Sequence, residues 1–94
     1  MVRHYTMTVL FSCFLMITGF AQQIEVSGTV LDDQATPLLG VSVQVKGTDK
    51  GAITDFDGNY TIEVPQGGTL VFSYVGFETQ NLTANGPTLN VTMT

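Results

Sequence analysis

Beyond residue 23, apolar and polar residues alternate in short runs, and this two-residue period leaves little choice of fold. In VSVQVK, residues 41–46, the three valines share one face of an extended chain and the polar residues share the other. NYTIEV, residues 59–64, and TLNVTM, residues 88–93, repeat the pattern. Alternate side chains lie on opposite faces of a strand, whereas an amphipathic helix repeats every 3.6 residues. The chain therefore predicts β-strands and no helix in this region.

Two other runs depart from simple alternation. TLVFSYV, residues 69–75, has apolar residues on both faces, which is typical of a central strand that is covered on two sides. ETQNLT, residues 78–83, is short and polar and predicts an edge strand. Gly, Pro, Asn and Asp separate the runs about every eight to twelve residues, a spacing that favours an all-β sandwich or a small barrel.

The first 21 residues have a different character. The only Arg and the only His lie within MVRHYT, an apolar run covers residues 7–20, and the small residue Ala21 follows. This order is typical of a secretory signal peptide cleaved after Ala21. A transmembrane anchor needs ~20 apolar residues, and a lipoprotein signal ending at Cys13 leaves too little apolar sequence before the cysteine. The sequence therefore predicts a signal peptide at residues 1–21 and one domain at residues 22–94.

The charge of the predicted domain excludes several partners. Lys46 and Lys50 stand against eight carboxylates, a side-chain charge of −6. No basic patch is available for phosphates, so nucleic-acid binding is excluded, and we expect no direct membrane insertion of the mature domain. The only cysteine, Cys13, lies in the predicted signal peptide. Stability must therefore come from the strands, from oligomerisation or from attachment to a larger protein.

The residue types of the domain also limit its chemistry. Residues 22–94 contain no His, Cys, Arg or Trp. This excludes Cys–His and Ser–His–Asp nucleophiles and zinc sites of the His/Cys kind. Carboxylates alone hydrolyse glycosides in some enzymes, and Asp55, Asp57 and Glu63 are the candidates here. Such enzymes need a sugar-holding cleft, which a small sandwich without Trp is poorly suited to form. We therefore predict no catalytic residues and no cofactor.

The stretch DFDGN, residues 55–59, has two interpretations. Asp55 and Asp57 are weak calcium candidates, because calcium prefers several oxygen ligands. The EF-hand pattern requires a Glu six residues after its Gly, and Val64 occupies that position. The dipeptides D-G and G-N are typical of hairpin turns, since both residue types tolerate positive φ. The sequence favours a turn, with calcium binding as the weaker alternative.

Two features suggest binding surfaces. Phe72, Tyr74 and Phe77 offer an aromatic platform for a sugar, although aromatic residues on strands more often belong to the core. The predicted edge strand, Glu78 to Thr83, offers unpaired backbone groups to an added strand of a partner protein.

Three segments, in order, carry a resemblance to a known family. They are VSGTVLDDQATPLLGVSVQVKGT at residues 26–48, GAITDFDGNYTIEVP at 51–65 and GTLVFSYVGFET at 68–79. The chain resembles the carboxypeptidase-regulatory-like domain, in the form found at the N-terminus of SusC/RagA-type TonB-dependent outer-membrane receptors of Bacteroidetes-type bacteria. The pattern G-x-x-T-D-x-D-G-x-Y, residues 51–60, is the most recognisable signature of that family.

The resemblance implies a seven-stranded, transthyretin-like Greek-key β-sandwich in the periplasm. In the family this domain is non-catalytic and precedes a TonB box, a plug and a barrel that imports glycans or other nutrients. The implied partners are envelope or receptor-associated proteins. Transthyretin-like hydrolases share the architecture, but their catalytic His and Arg have no counterpart in residues 22–94.

The sequence stops at Thr94, where such a receptor would continue. We therefore expect either a fragment of a receptor or a free-standing copy of the domain. The alternative function is a free-standing secreted module that binds carbohydrate or another protein.

Overall fold

Seven strands provide the regular structure of residues 22–94, the part of the chain that the computed structural model describes. These residues contain no helix, and therefore none that could cross a membrane. The predicted signal peptide lies outside the described residues. The strands are β1 (Gln23–Leu31), β2 (Ser42–Val45), β3 (Gly51–Ile53), β4 (Asn59–Pro65), β5 (Thr69–Ser73), β6 (Gln80–Thr83) and β7 (Val91–Thr92).

The strands form two sheets. One has the order β4-β1-β7 and the other the order β3-β2-β5-β6. β1 pairs antiparallel with β4 from Gln23↔Pro65 to Thr29↔Asn59, and it pairs parallel with β7 on its other side. The chain crosses between sheets at β1–β2, β3–β4, β4–β5 and β6–β7, as Greek-key sandwiches do. The predicted all-β, seven-stranded β-sandwich is confirmed, with β5 inside its sheet and β6 at an edge.

The core lies between the sheets and consists of the apolar side chains that the two-residue period places on inward faces. Tyr60 of β4 and Phe72 of β5 join the sheets through an edge-to-face contact, with ring centroids 5.4 Å apart and planes at 76°. Burying each large apolar side chain contributes about 1.5–3 kcal/mol. The fully or almost fully buried apolar residues are Val26, Val30, Val41, Val43, Val45, Tyr60, Ile62, Val64, Leu70, Phe72, Ala84, Val91 and Met93.

The connecting loops gather at two opposite ends of the sandwich. We call the end formed by loops 32–41, 54–58 and 74–79 the upper end, and the opposite end the lower end. The described chain begins at the lower end, where the backbone N–H of Gln66 donates to the Gln22 carbonyl at 2.9 Å. It finishes at the upper end, where the N–H of Glu78 donates to the Thr94 carbonyl at 2.8 Å. Entry and exit are therefore separated by the length of the sandwich.

Candidate functional site

The DFDGN stretch is a tight turn at the upper end, organised by one carboxylate. Oδ1 of Asp55 accepts backbone N–H bonds from Asp57 at 3.0 Å and from Asn59 at 2.9 Å. The N–H of Gly58 donates to the Asp55 carbonyl at 2.9 Å, and Gly58 has a φ of +76°. Asp55 is thus the turn-forming carboxylate that the sequence favoured.

This turn does not join a hairpin. β3 before the turn belongs to the four-stranded sheet, and β4 after it belongs to the three-stranded sheet. The turn therefore carries the chain across the sandwich. The dipeptides D-G and G-N indicate a positive φ, which the structure has at Gly58. A turn that connects two sheets requires this conformation as much as a hairpin turn does.

Few oxygen atoms near Asp55 and Asp57 are available as ligands for a calcium ion. Calcium takes six to eight oxygen ligands, whereas one oxygen of Asp55 is already engaged by two backbone amides. Within residues 22–94, no three carboxylates or other metal-binding side chains come together around a common point. The geometry favours the turn, and calcium binding stays a prediction for titration.

The three aromatic residues considered for sugar binding do not form one platform. Phe72 is completely buried and faces Tyr60 in the core. Tyr74 and Phe77 are half-buried and pack on each other, with centroids 5.8 Å apart and planes at 31°. A ring that faces the core cannot stack on a sugar, so at most two of the three are available to a ligand.

Tyr60 is the titratable group whose environment is most clearly altered. Its hydroxyl donates to the Leu89 carbonyl at 2.5 Å, and burial raises the pKa of Tyr60 to about 12. A buried phenol resists ionisation because the charged form loses its hydration. Tyr60 therefore remains a neutral hydrogen-bond donor that ties β4 to the segment preceding β7, which is a structural role.

The edge proposed for strand addition, Glu78 to Thr83, is partly covered. The N–H of Glu78 is bonded to Thr94, and the side-chain amide of Gln80 donates to the Thr92 carbonyl at 2.8 Å. The last residues of the chain therefore close the sandwich along β6, and only the remainder of that strand is open to a partner.

A longer open edge lies on the opposite side of the sandwich. Within residues 22–94, β4 pairs only with β1, and β3 pairs only with β2. Shallow grooves between these two edges are lined by residues such as Lys50, Gly51 and Thr61. Sequence reasoning missed this edge, although Pro65 at the end of β4 was a usable signal, because proline is confined to edges and strand ends.

The exposed apolar side chains lie at the upper end. Leu39, Ile53, Phe56 and Val75 are the large apolar residues of the described chain that are most exposed, from 45% for Leu39 to 94% for Val75. Sequence reasoning did not single them out. The available signal was an apolar residue inside a turn-forming segment, as in DFDG and YVGF.

Charge divides along the same axis. Five carboxylates lie in the loops of the upper end, and both lysines of residues 22–94 lie with Asp49 in the loop between β2 and β3 at the lower end. The upper end is therefore apolar and acidic, whereas the positively charged side chains of residues 22–94 lie at the lower end. The upper-end carboxylates are Asp32, Asp33, Asp55, Asp57 and Glu78.

Comparison with known proteins gives consistent relatives. A family model described as the CarboxypepD_reg-like domain matches residues 26–94. The chain is 49% identical over 69 residues to the TonB-dependent receptor SusC of Bacteroides thetaiotaomicron, covering 73% of this chain and 7% of that protein. It is 42% identical over 79 residues to the TonB-dependent receptor P39 of Formosa agariphila, covering 83% of this chain and 8% of that protein. The chain thus spans less than a tenth of the length of these relatives.

Among solved structures, the chain resembles part of a type II cohesin–X-dockerin complex from Acetivibrio cellulolyticus. The TM-score is 0.61 at 24% identity, and the match covers 74% of this chain and 56% of the other. At that identity the likeness concerns the fold alone, and it agrees with the two-sheet arrangement described above.

Proposed function

The chain belongs to the carboxypeptidase-regulatory-like domain family, and on that premise we propose that it is a non-catalytic interaction domain at the N-terminus of a TonB-dependent receptor of the SusC type. One observation carries the proposal: the sequence of this small domain matches receptors more than ten times its length at 42–49% identity. In this role the domain provides a folded surface, and the receptor performs the uptake.

Two features of the domain support a role without catalysis. Residues 22–94 lack the residue types that supply an imidazole base, a thiolate or a guanidinium. Tyr60, the group with the strongly raised pKa, is engaged with Leu89 and faces the core. Both features suit a protein-binding domain.

We place the domain in the periplasm, exported by residues 1–21 and associated with the outer membrane through the receptor. The apolar run followed by Ala21 supports this placement. Mass spectrometry of the exported protein should give Gln22 as the mature N-terminus. Ala21→Arg should block processing and accumulate the precursor. Unprocessed wild-type protein in the envelope would argue against the signal peptide.

The gene that encodes the chain tests the receptor role directly. The DNA following the Thr94 codon should continue in frame into a TonB box, a plug and a barrel, with or without an intervening stop. A terminator followed by an unrelated gene would instead favour the free-standing binding module. The sugar-binding form of that module has less support, since Phe72 is buried. A glycan panel that shifts the NMR signals of Tyr74 and Phe77 would restore it.

A further inference from the structure

We propose that the upper end is a docking surface for the receptor polypeptide that follows this domain. The docking part of that polypeptide presents apolar side chains surrounded by lysine or arginine. This inference rests on the proposed function and names the partner of the domain within it. The surface consists of Leu39, Ile53, Phe56 and Val75, and the five upper-end carboxylates lie in the loops of the same end.

The loops that carry these side chains are held against one another. Ser42 is in register with both Ile53 and Ser73, so the ends of β2, β3 and β5 are adjacent. The N–H of Gly40 donates to the Thr54 carbonyl at 3.1 Å, which ties loop 32–41 to loop 54–58. A Cβ at Gly40 would lie 3.6 Å from the ring of Tyr74, so the start of loop 74–79 lies close to loop 32–41 as well. The end of β3 and the loops that carry the apolar side chains therefore lie together at one end of the sandwich.

The distribution of exposed apolar residues is uneven. The four that are most exposed within residues 22–94 all lie at the upper end or at the end of β3 that borders it. Single exposed apolar residues are normal on soluble proteins, whereas a group of them among polar residues marks an interaction site. Phe56 and Val75, at 84% and 94% exposure, have few contacts within the domain to explain their apolar character.

The position at which the chain leaves the domain indicates which polypeptide binds the docking surface. Backbone N–H bonds from Glu78 to Thr94, and from Met93 to Leu31, hold the last residues at the upper end. Any polypeptide that follows Thr94 in a receptor therefore starts beside the docking surface. More than nine-tenths of each receptor relative lies outside the matched segment. Such a tethered partner has a high effective concentration, so even a small surface suffices for docking.

Charge selects among the possible occupants. A second copy of the domain would bring five carboxylates against five others, and an anionic lipid surface would meet the same repulsion. A protein surface with lysine or arginine at its rim gains attraction from the same carboxylates. The loops of the upper end contain no lysine that would oppose it.

Photo-crosslinking within a receptor tests the surface. The SusC receptor of Bacteroides thetaiotaomicron is made with this domain in place of its own matching segment. Benzoylphenylalanine replaces Phe56 or Val75 at the upper end, and Gln66 at the lower end as the matched control. We expect crosslinks from the first two positions to a Lys/Arg-containing peptide of the same receptor molecule, at least several-fold above the control. Crosslinks to lipid, to another copy or to an unrelated protein, or equal yields at Gln66, would overturn the proposal.

Proteolytic release of the domain tests the same docking surface without a crosslinker. In the same receptor, Phe56→Ser combined with Val75→Ser should speed proteolytic release of the domain several-fold, with Gln66→Ser unchanged. Asp33→Lys combined with Asp57→Lys should do the same, most strongly at low salt. Unchanged release in both double variants would count against docking.

Uptake separates this proposal from the receptor role. If docking alone is wrong, the chimeric receptor assembles and takes up its substrate as the parent does, without upper-end crosslinks. If the receptor role is wrong, the chimera fails to assemble or to take up substrate, whereas SusC with its own segment succeeds.

Discussion

Gly58 shows how a single residue connects the family signature to the fold. Its φ of +76° is a conformation that glycine adopts readily and other residues rarely do. A Cβ at this position would also lie 2.5 Å from the Val30 carbonyl oxygen, which already accepts a hydrogen bond from Leu38. The glycine in T-D-x-D-G is therefore required both by the turn and by its close approach to β1.

Replacing Gly58 with Ala should destabilise the domain more than the same change at Gly67. Gly67 has a similar φ of +78° but no atom within 4 Å of its would-be Cβ, so Gly67→Ala reports the backbone cost alone. That cost is about 1–2 kcal/mol, and Gly58→Ala should exceed it because of the clash. Urea unfolding monitored by circular dichroism measures both variants. Equal losses would show that the close approach to Val30 relaxes without penalty.

Thr54 is the buried polar residue of the described core, and its hydroxyl has two partners. It accepts the N–H of Val41 at 2.9 Å and donates to the Leu38 carbonyl at 2.6 Å. Thr54→Val keeps the shape but leaves both backbone groups without that partner, and we expect a loss of about 1–3 kcal/mol in urea unfolding. Thr54→Ser keeps the hydroxyl and should lower the free energy of unfolding clearly less. A serine variant as unstable as the valine variant would instead assign the effect to packing.

Tyr60 makes stability depend on pH in the alkaline range. Its pKa is raised to about 12 in the folded protein, against about 10 in an unfolded chain. The stability associated with neutral Tyr60 is fully present below pH 10 and is lost as pH rises toward 12. The free energy of unfolding should therefore fall as pH rises over this range. For Tyr60→Phe, the free energy of unfolding should fall less steeply.

At the scale of the elements, alternation was sufficient to predict the longer strands. β2 and β4 follow the predicted faces, because their inward positions are apolar: two in β2, Val43 and Val45, and three in β4, Tyr60, Ile62 and Val64. β3 was harder to predict, since its three residues, GAI, are too few to show a period. β7 has only Val91–Thr92, shorter than the alternating run TLNVTM suggests. There the parallel pairing with β1 covers only two residue pairs, and sequence period does not reveal pairing length.

The two sheets depend on the contact between Tyr60 and Phe72. Phe72→Ala removes a completely buried ring and should destabilise the domain by about 3–5 kcal/mol, as deletions of buried aromatic rings do. Phe77→Ala removes a half-buried ring that packs on Tyr74 and should lose clearly less. Thermal or urea unfolding compares the two. A Phe77 variant as unstable as the Phe72 variant would move the centre of the core toward the upper end.

At the scale of the whole molecule, the sequence shows which charged and apolar residues are present but not where they lie on the folded surface. The eight carboxylates and the exposed apolar residues are visible in the sequence, yet loops 32–41, 54–58 and 74–79 meet only once both sheets have formed. The family resemblance predicted the sandwich correctly. It did not predict that acidic and apolar side chains share one end, because that depends on which strand ends lie together.

The five carboxylates at the upper end should make stability depend on salt. Their repulsion is screened as the Debye length falls from about 30 Å at 0.01 M to about 10 Å at 0.1 M. The free energy of unfolding should therefore rise with NaCl over this range. CaCl₂ at matched ionic strength should give a similar rise. A clearly larger rise with calcium, lost in Asp57→Ala, would revive the calcium interpretation of DFDGN.

The placement of the first and last strands has a mechanical consequence. β1 and β7 are neighbours and run parallel, while the chain enters at one end of the sandwich and leaves at the other. A pull on Thr94 against a domain anchored at Gln22 would load the β1–β7 ladder along its length. Its hydrogen bonds would then be sheared together instead of being unzipped one by one, so the domain would transmit tension as a stiff link.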